Sequence, residues 1–145
     1  MKLEIKMSDI ETVSALAHAI PELVTPYPAD EYHQRMKGKE SLILVAFMDS
    51  NPAGFKAGYD KYGDGSFYSW MGGVLPEYRR HHVAKALADA QEAWAKQSGY
   101  QRIVFKTRNK HKAMLAFAIH NGFSIIGVEE RRQIEEYRIL LQKLL

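Results

Sequence analysis

The 145-residue sequence contains no cysteine. That absence removes any disulfide framework, any cysteine-based zinc site and any thiol nucleophile. No apolar run approaches the roughly 20 residues that a membrane-spanning helix needs. The first residues, Met1 to Lys6, alternate charged and apolar side chains and do not read as a signal peptide. A cytoplasmic location with no membrane partner is therefore expected. None of the six histidines falls into a His-x-x-x-His or His-Glu-x-x-His spacing, so no metal is expected. Charge of one sign is scarce too: 20 Lys and Arg against 17 Asp and Glu leave a net charge of +3. That excess is too mild to indicate nucleic acid, and Asp89, Glu92, Glu129 and Glu130 interrupt any continuous basic surface. Repeats, low-complexity tracts and linkers are also absent. With 46% hydrophobic and 26% charged residues, residues 1–145 read as one globular domain with a single core.

What is present is alternation of strand and helix patterns. Leu3, Ile5 and Met7 alternate with Lys2, Glu4 and Lys6, as a half-buried strand does. Ser8 and Glu11 have capping-box spacing, and Val13, Leu16, Ala17 and Ile20 give the following helix its apolar stripe up to Pro21. A short helix is expected over about Ala29 to Lys37, stopped by Gly38. Strands follow over Ser41 to Met48, Ala53 to Tyr62 and Ser66 to Val74, separated by the turn residues Asp49 to Pro52 and Gly63 to Gly65. From Val83 the period becomes helical, with Val83, Leu87, Ala90 and Trp94 on one face and Ser98-Gly99 as the stop. Strand patterns recur at Arg102 to Thr107, Phe123 to Val128 and Tyr137 to Leu145, with a helix over about Lys110 to Asn121. The expected fold is mixed α/β, in the order β-α-α-β-β-β-α-β-α-β-β. A mostly antiparallel central sheet of about seven strands is flanked by about four helices, with a βαβ crossover around the long helix.

Two local features carry chemistry. Four consecutive basic or ionisable residues, Arg79 to His82, lie between Pro76 and the helix that opens at Val83. A helix start exposes about four amides without intrahelical partners, and its dipole favours an anion, so this turn suits a phosphate or pyrophosphate. The second feature is Gly72-Gly73 inside a strand. Adjacent glycines mark a bulge, or a close approach by another backbone or a ligand.

In that order, Val74-Leu75-Pro76-Glu77-Tyr78-Arg79 and the small residue Ala84 resemble the acyl-CoA-binding motif of the GNAT superfamily of N-acetyltransferases. The stretch ending in Gly122-Phe123 is similar to the family's last helix, with His111 at its Asn position and Ala118 at its Tyr position. The element order is that of the GNAT fold, so the resemblance covers essentially the whole chain. It implies acetyl-CoA as co-substrate, with Gly72, Gly73 and Val74 along the pantetheine arm. Arg79, Arg80, His81, His82, Val83, Ala84 and Lys85 would surround the pyrophosphate, with His111 nearby. His82 departs from the motif, standing where a glycine would let the backbone approach the phosphates. With an ordinary φ its amide would still donate.

The implied activity is transfer of an acetyl group to a primary amine of a small molecule or peptide by direct attack. That chemistry needs a neutral amine, an oxyanion donor and an acid for the departing thiolate. Ala118 cannot be the acid, and His120 should face away from the site. Candidate proton donors are Tyr137, Tyr59 and Tyr68, and candidate bases are Glu31, Asp60, Asp64, Glu129 and Glu130. A CoA-binding module without catalysis is the alternative, and a nucleic-acid-binding domain the third reading. Tyr59, Tyr62, Phe67, Tyr68 and Trp70 line an acceptor pocket or fill the sheet core. Lys106, Arg108, Lys110 and Lys112 form a solvated basic face or sit by the CoA 3′-phosphate. A homodimer through the terminal strand ending at Leu144-Leu145 is also possible on sequence grounds.

Overall fold

The computed structural model describes residues 2–23 and 25–145. The strands are β1 (Leu3–Met7), β2 (Ser41–Met48), β3 (Asn51–Tyr59), β4 (Ser66–Val74), β5 (Arg102–Arg108), β6 (Ser124–Glu129) and β7 (Arg138–Leu144). The helices are α1 (Ile10–His18), α2 (Ala29–Met36), α3 (Val83–Gln97) and α4 (Lys112–His120). All seven strands share one sheet in the order β1-β2-β3-β4-β5-β7-β6. Only β4 and β5 run parallel; every other neighbouring pair is antiparallel. This is the expected mixed fold, with the β4-α3-β5 crossover at its centre.

Alternation along β2 shows how the sheet is clad on both sides. Leu42, Leu44, Ala46 and Met48 join the cluster beneath α3, built with Val83, Leu87 and Ala95. Val45 faces the other way, with Val13, Leu16, Ala17 and Ile20 of the α1 segment and Tyr32 and Met36 of α2. Helix α4 lies on the α3 side and packs Ala118 against Ile139 and Leu141. Trp94 is only half-buried, yet it packs edge-on to Phe67 at 5.1 Å between ring centroids and stacks with Tyr100 at 6.0 Å.

Element boundaries differ from the sequence pattern where a distant hydrogen bond or the turn geometry intervenes. The amide of Ser8 donates to Ile43 O, which ties Ser8 to the sheet, so Asp9 caps α1 instead by accepting from Thr12 N at 2.8 Å. Asp49 and Ser50, at φ +50° and +70°, form a two-residue turn of the left-handed hairpin kind, and β3 therefore begins at Asn51. The amide of Lys110 donates to Glu135 O, which delays α4 to Lys112. The register of β3 against β4 breaks between Ala57 and Gly58, leaving Trp70 as the extra residue. The bulge is thus at Trp70, while Gly72 and Gly73 pair in register with Lys56 and Phe55. Strand β7 has β5 on one edge and β6 on the other, so the terminal strand is not available for pairing with a second chain.

Close approach accounts for two glycines. A Cβ on Gly58 would lie 2.6 Å from Tyr68 O and 2.5 Å from a ring carbon of the buried Phe67. A Cβ on Gly73 would lie 2.8 Å from Ile20 Cδ1. Overpacking of this kind costs about 1–3 kcal/mol. Gly58→Ala should therefore lower the urea midpoint by an amount equivalent to that cost, with an unchanged m-value.

Candidate active site

The turn between β4 and α3 is made of a 3-10 turn (Pro76–Tyr78) followed by Arg79 to His82. Pro76 at its first position cannot continue the ladder, and Leu75 closes β4 by donating to Ala53 O. Arg80 and His82 both adopt left-handed backbone, at φ +66° and +61°. His82 thus holds the conformation that the missing glycine would have taken, not an ordinary φ. A side chain in that region costs about 1–2 kcal/mol, and such strain persists only where surrounding structure over-determines it. The α3 ladder begins with Ala86 N donating to His82 O at 3.0 Å. Among the described residues, the amides of Arg80, His81, His82, Val83, Ala84 and Lys85 have no acceptor within the chain. The first turn of α3 carries no acidic residue and no side-chain cap, so the positive end of a 15-residue helix is left uncompensated.

The second half of the site is the free edge of β4. Its parallel pairing with β5 covers only Ser66↔Arg102, Phe67↔Ile103 and Tyr68↔Val104, although β4 runs to Val74 and β5 to Arg108. Beyond Tyr68 the two strands part. The other edge of β4 stays paired to β3 through Val74. A cleft of about 470 Å³ lies at the open end, lined by Val74, Tyr78, Arg80, His82, Ala84 and Phe117 among others.

The structure distributes the sequence candidates unevenly. Arg80, His82, Val83, Ala84 and Lys85 line that cleft, and His81 is exposed beside it. Arg79 also borders it, but its guanidinium is engaged, donating to Val74 O at 3.1 and 3.2 Å and to Glu22 at 2.7 Å. Arg79 therefore clamps the end of β4. Its cation also holds the Glu22 carboxyl below the usual glutamate range. Lys85 is paired with Asp89 at 2.6 Å. His111 precedes α4, is half-buried, and has its pKa lowered by burial and by Lys110 and Arg108. Glu22 and His111 also act on one another electrostatically. The basic quartet is partly paired and keeps an excess of positive charge: Lys106 shares Glu129 with Arg131, Arg108 and Lys110 share Glu136 with Arg138, and Lys112 donates to the neutral Asn109. Glu22 and Phe117 went unrecognised in the sequence. Phe117 stood one residue before the position under scrutiny, and Glu22 carried no local signal.

On the α1–α2 side of the gap lies an aromatic floor. Trp70 packs against Tyr32, Tyr27 and Tyr59 at 4.8, 5.4 and 5.9 Å between ring centroids, and the Arg35 guanidinium lies 4.7 Å over Trp70. Glu31 pairs with Arg35 at 2.8 Å, which brings that candidate base to the floor. A second cleft of about 400 Å³ continues from Tyr62 and Tyr68 across Val104, Lys106, Ile126 and Glu129. Lys61 stacks over Tyr68 at 4.6 Å, and burial pushes the Tyr68 hydroxyl up to about 12. Tyr59 is buried core, whereas Tyr68 both packs in the core and lines the cleft. Asp60 and Asp64 have structural duties: Asp60 accepts from Gly63 N and Tyr100, and Asp64 from Ser66 and Arg102. Tyr137 is half-buried between the last 3-10 turn (Ile134–Glu136) and β7. Ala118 is buried against the sheet and His120 is exposed.

A parallel pair of strands thus parts beside a helix N-terminus, with a cleft on each side. The family model for the Acetyltransferase (GNAT) family matches residues 10–123. The chain belongs to that family. No curated protein sequence matches it. Among solved structures, the ribosomal-protein-S18-alanine N-acetyltransferase from Escherichia coli superposes with a TM-score of 0.83 at 15% identity, covering 99% of this chain and 94% of that one. Ard1 from Thermoplasma volcanium gives 0.82 at 18% identity, covering 100% and 99%. The PaiA N-acetyltransferase from Thermoplasma acidophilum, solved with coenzyme A, gives 0.74 at 18%, covering 100% of both chains. These likenesses establish the shared fold. No helix among the described residues is long and apolar enough to cross a membrane.

The clamp at the end of β4 has a pH signature. Glu22 has its pKa depressed below 4.5 in the folded protein, chiefly by its hydrogen bond from Arg79. Its contribution is present above the unfolded value and is lost as pH falls through the folded one. The pair is partly exposed, so the effect stays below about 1 kcal/mol. Glu22→Gln should be slightly less stable than the parent at neutral pH, and the difference should vanish below about pH 3 in urea titrations.

Proposed function

We propose that the protein is an acetyl-CoA-dependent N-acetyltransferase acting on a primary amine of a small molecule or peptide. The observation that carries this reading is the run of unbonded amides from Arg80 to Lys85 ahead of α3. The fit to acyl-CoA can be judged on the chain itself. A pyrophosphate needs several donors and little negative charge, and the turn offers free amides, Arg80 and a helix dipole with no acid in the first turn. An extended arm bearing amides needs an unpaired strand edge, and β4 offers one from beyond Tyr68 to Val74. Gly72 and Gly73 lie on that edge, and Phe117 forms a wall of the cleft next to it.

In this reading, Gly72, Gly73 and Val74 orient the arm, and the amides and side chains from Arg80 to Lys85 hold the diphosphate, with His111 nearby. Arg79 acts indirectly by holding β4 open at Val74. The bound donor supplies a thioester carbon open to attack. The acceptor enters over the aromatic side, where Trp70, Tyr68 and Tyr62 exclude water from one face of the nitrogen. Glu31, beside Trp70 through Arg35, or a water molecule takes the proton from the amine. Tyr137 is the other candidate for proton transfer. A cytoplasmic location belongs to the same reading. A module that binds CoA without catalysis is the second reading, favoured by the packed methyl of Ala118 where a hydroxyl would be expected.

Isothermal titration with CoA and acetyl-CoA tests the first half of the proposal, and thiol release with a panel of amines separates the two readings. Binding is expected in both readings and turnover only in the first. Ala84→Asp places a carboxylate among the free amides, where like charge costs several kcal/mol, and should weaken CoA binding by about a hundredfold or more. His82→Gly should bind CoA at least as tightly as the parent, since it relieves the left-handed strain without removing an amide. Absence of any heat with CoA at high micromolar concentration overturns the proposal.

A further inference from the structure

The α3 side of the gap holds a lysine with no role so far. Lys56 of β3 is in register with Gly72 of β4 and Leu44 of β2. Its Cγ is 3.6 Å from the point that a Gly72 Cβ would occupy. The absent side chain therefore lets the lysine stem lie along β4. The ammonium sits deep in the protein, where burial pushes its pKa down to about 8. The residue as a whole keeps an intermediate exposure.

No carboxylate neutralises this cation directly. Among the described residues, Lys56 forms no ion pair, and Glu92 of α3 acts on it through space only. Glu92 is itself committed to Lys143 of β7 at 2.6 Å. Leu44 and Gly72, its neighbours across the sheet, carry no charge. Beside Glu92 on the same helix, Gln91 is 2% exposed, and its amide nitrogen is buried without an acceptor. Two donors lacking acceptors thus lie on the α3 side of the sheet, one of them beside Gly72, whose missing side chain leaves the way across β4 open. Such groups are costly unless something supplies the missing partner.

We propose that Lys56 meets the sulfur of the bound acyl-CoA and protonates it as it departs. This rests on the acyl-CoA reading above. The amine nitrogen bonds to the acyl carbon, and the carbon–sulfur bond breaks with its electron pair remaining on sulfur. The proton on Lys56 Nζ passes to that sulfur and gives the free thiol. Neutral Nζ then regains a proton through water from the one shed by the new amide nitrogen. Donor and acceptor are matched, because a free thiol has a pKa of about 8.5 and transfer between near-equal groups has little barrier from its energetics. The lysine approaches from β3, which explains how Ala118 can sit packed against Ile139 and Leu141 without loss of a proton source.

The test reads ionisation of bound CoA and needs no acceptor. An ammonium against the thiol favours the thiolate, so on the wild-type protein its ultraviolet absorbance should appear about one pH unit or more below that of free CoA. The titration runs from about pH 6 to 9, bracketing the lysine and thiol values. Lys56→Met should lose the shift, and Lys56→Gln serves as a second neutral variant. Desulfo-CoA, followed by calorimetry, should bind wild type and variants within about twofold, showing the rest of the site intact. With any accepted amine, kcat should fall about a hundredfold in Lys56→Met while KM for acetyl-CoA stays within about twofold. Wild-type-bound CoA ionising at the pH of free CoA, or Lys56→Met keeping the shift, overturns the proposal. Failure of wild type to bind either CoA or desulfo-CoA instead overturns the acyl-CoA reading itself.

Discussion

The parting of β4 from β5 is the constraint on which the rest depends. Hydrogen bonding between them ends at Tyr68↔Val104, and the extra residue at Trp70 follows at once. A bulge increases local twist and bends its strand. Here it carries β4 along β3 and away from β5. Arg79 then fixes the far end by donating to Val74 O and pairing with Glu22. A strand edge in mid-sheet is left without a partner, which in an ordinary sheet would be closed by the next strand. The free amides before α3 lie at one end of that gap and the aromatic floor on one face, while Lys56 lies on the α3 face of the sheet in register with Gly72.

Much of this was legible from local signals. The range of β2 follows from an apolar run bounded by turn residues, that of β4 from an aromatic-rich stretch between Gly65 and Pro76, and α3 begins where the period changes at Val83. These signals work because strand alternation and helical period reflect burial, and both faces of this sheet are covered. Local signals failed where a distant backbone competed. Ser8 has the composition of a cap, but its amide is held by Ile43 of β2, thirty-five residues away in sequence. The glycine pair suggested a bulge, whereas the register break lies at Trp70, set by pairing with β3.

Charge was the least legible property. The basic run from Arg79 to His82 is plain in the sequence, but the partner of Arg79 is Glu22, 57 residues earlier. The second basic group is partly paired with Glu136 and Glu129, neither of which sequence spacing alone brings within reach. Lys56 was invisible for the opposite reason. A lysine alternating with apolar residues in a strand reads as a solvated face, and only the topology shows that α3 covers that face. His82 illustrates a further limit, since its type predicts ordinary backbone and the turn imposes the left-handed region.

The two mouths of the gap offer different groups, and that division bears on how little sequence the fold needs. On the α3 side, the groups available are chiefly main-chain: amides from Arg80 to Lys85 and the open edge of β4. Backbone donors are supplied by any residue except proline, so they constrain conformation more than identity. His82 in a glycine's conformation is one result, and a shared fold at 15–18% identity is compatible with the same economy. On the α1–α2 side, the groups are side chains: Trp70 and Tyr68 with Arg35 and Lys61 held over their rings. Those identities are free to differ between proteins that keep the same gap. On the proposed function, the donor site is thus written in the backbone and the acceptor site in side chains, and the acceptor's chemistry is to be sought in the second.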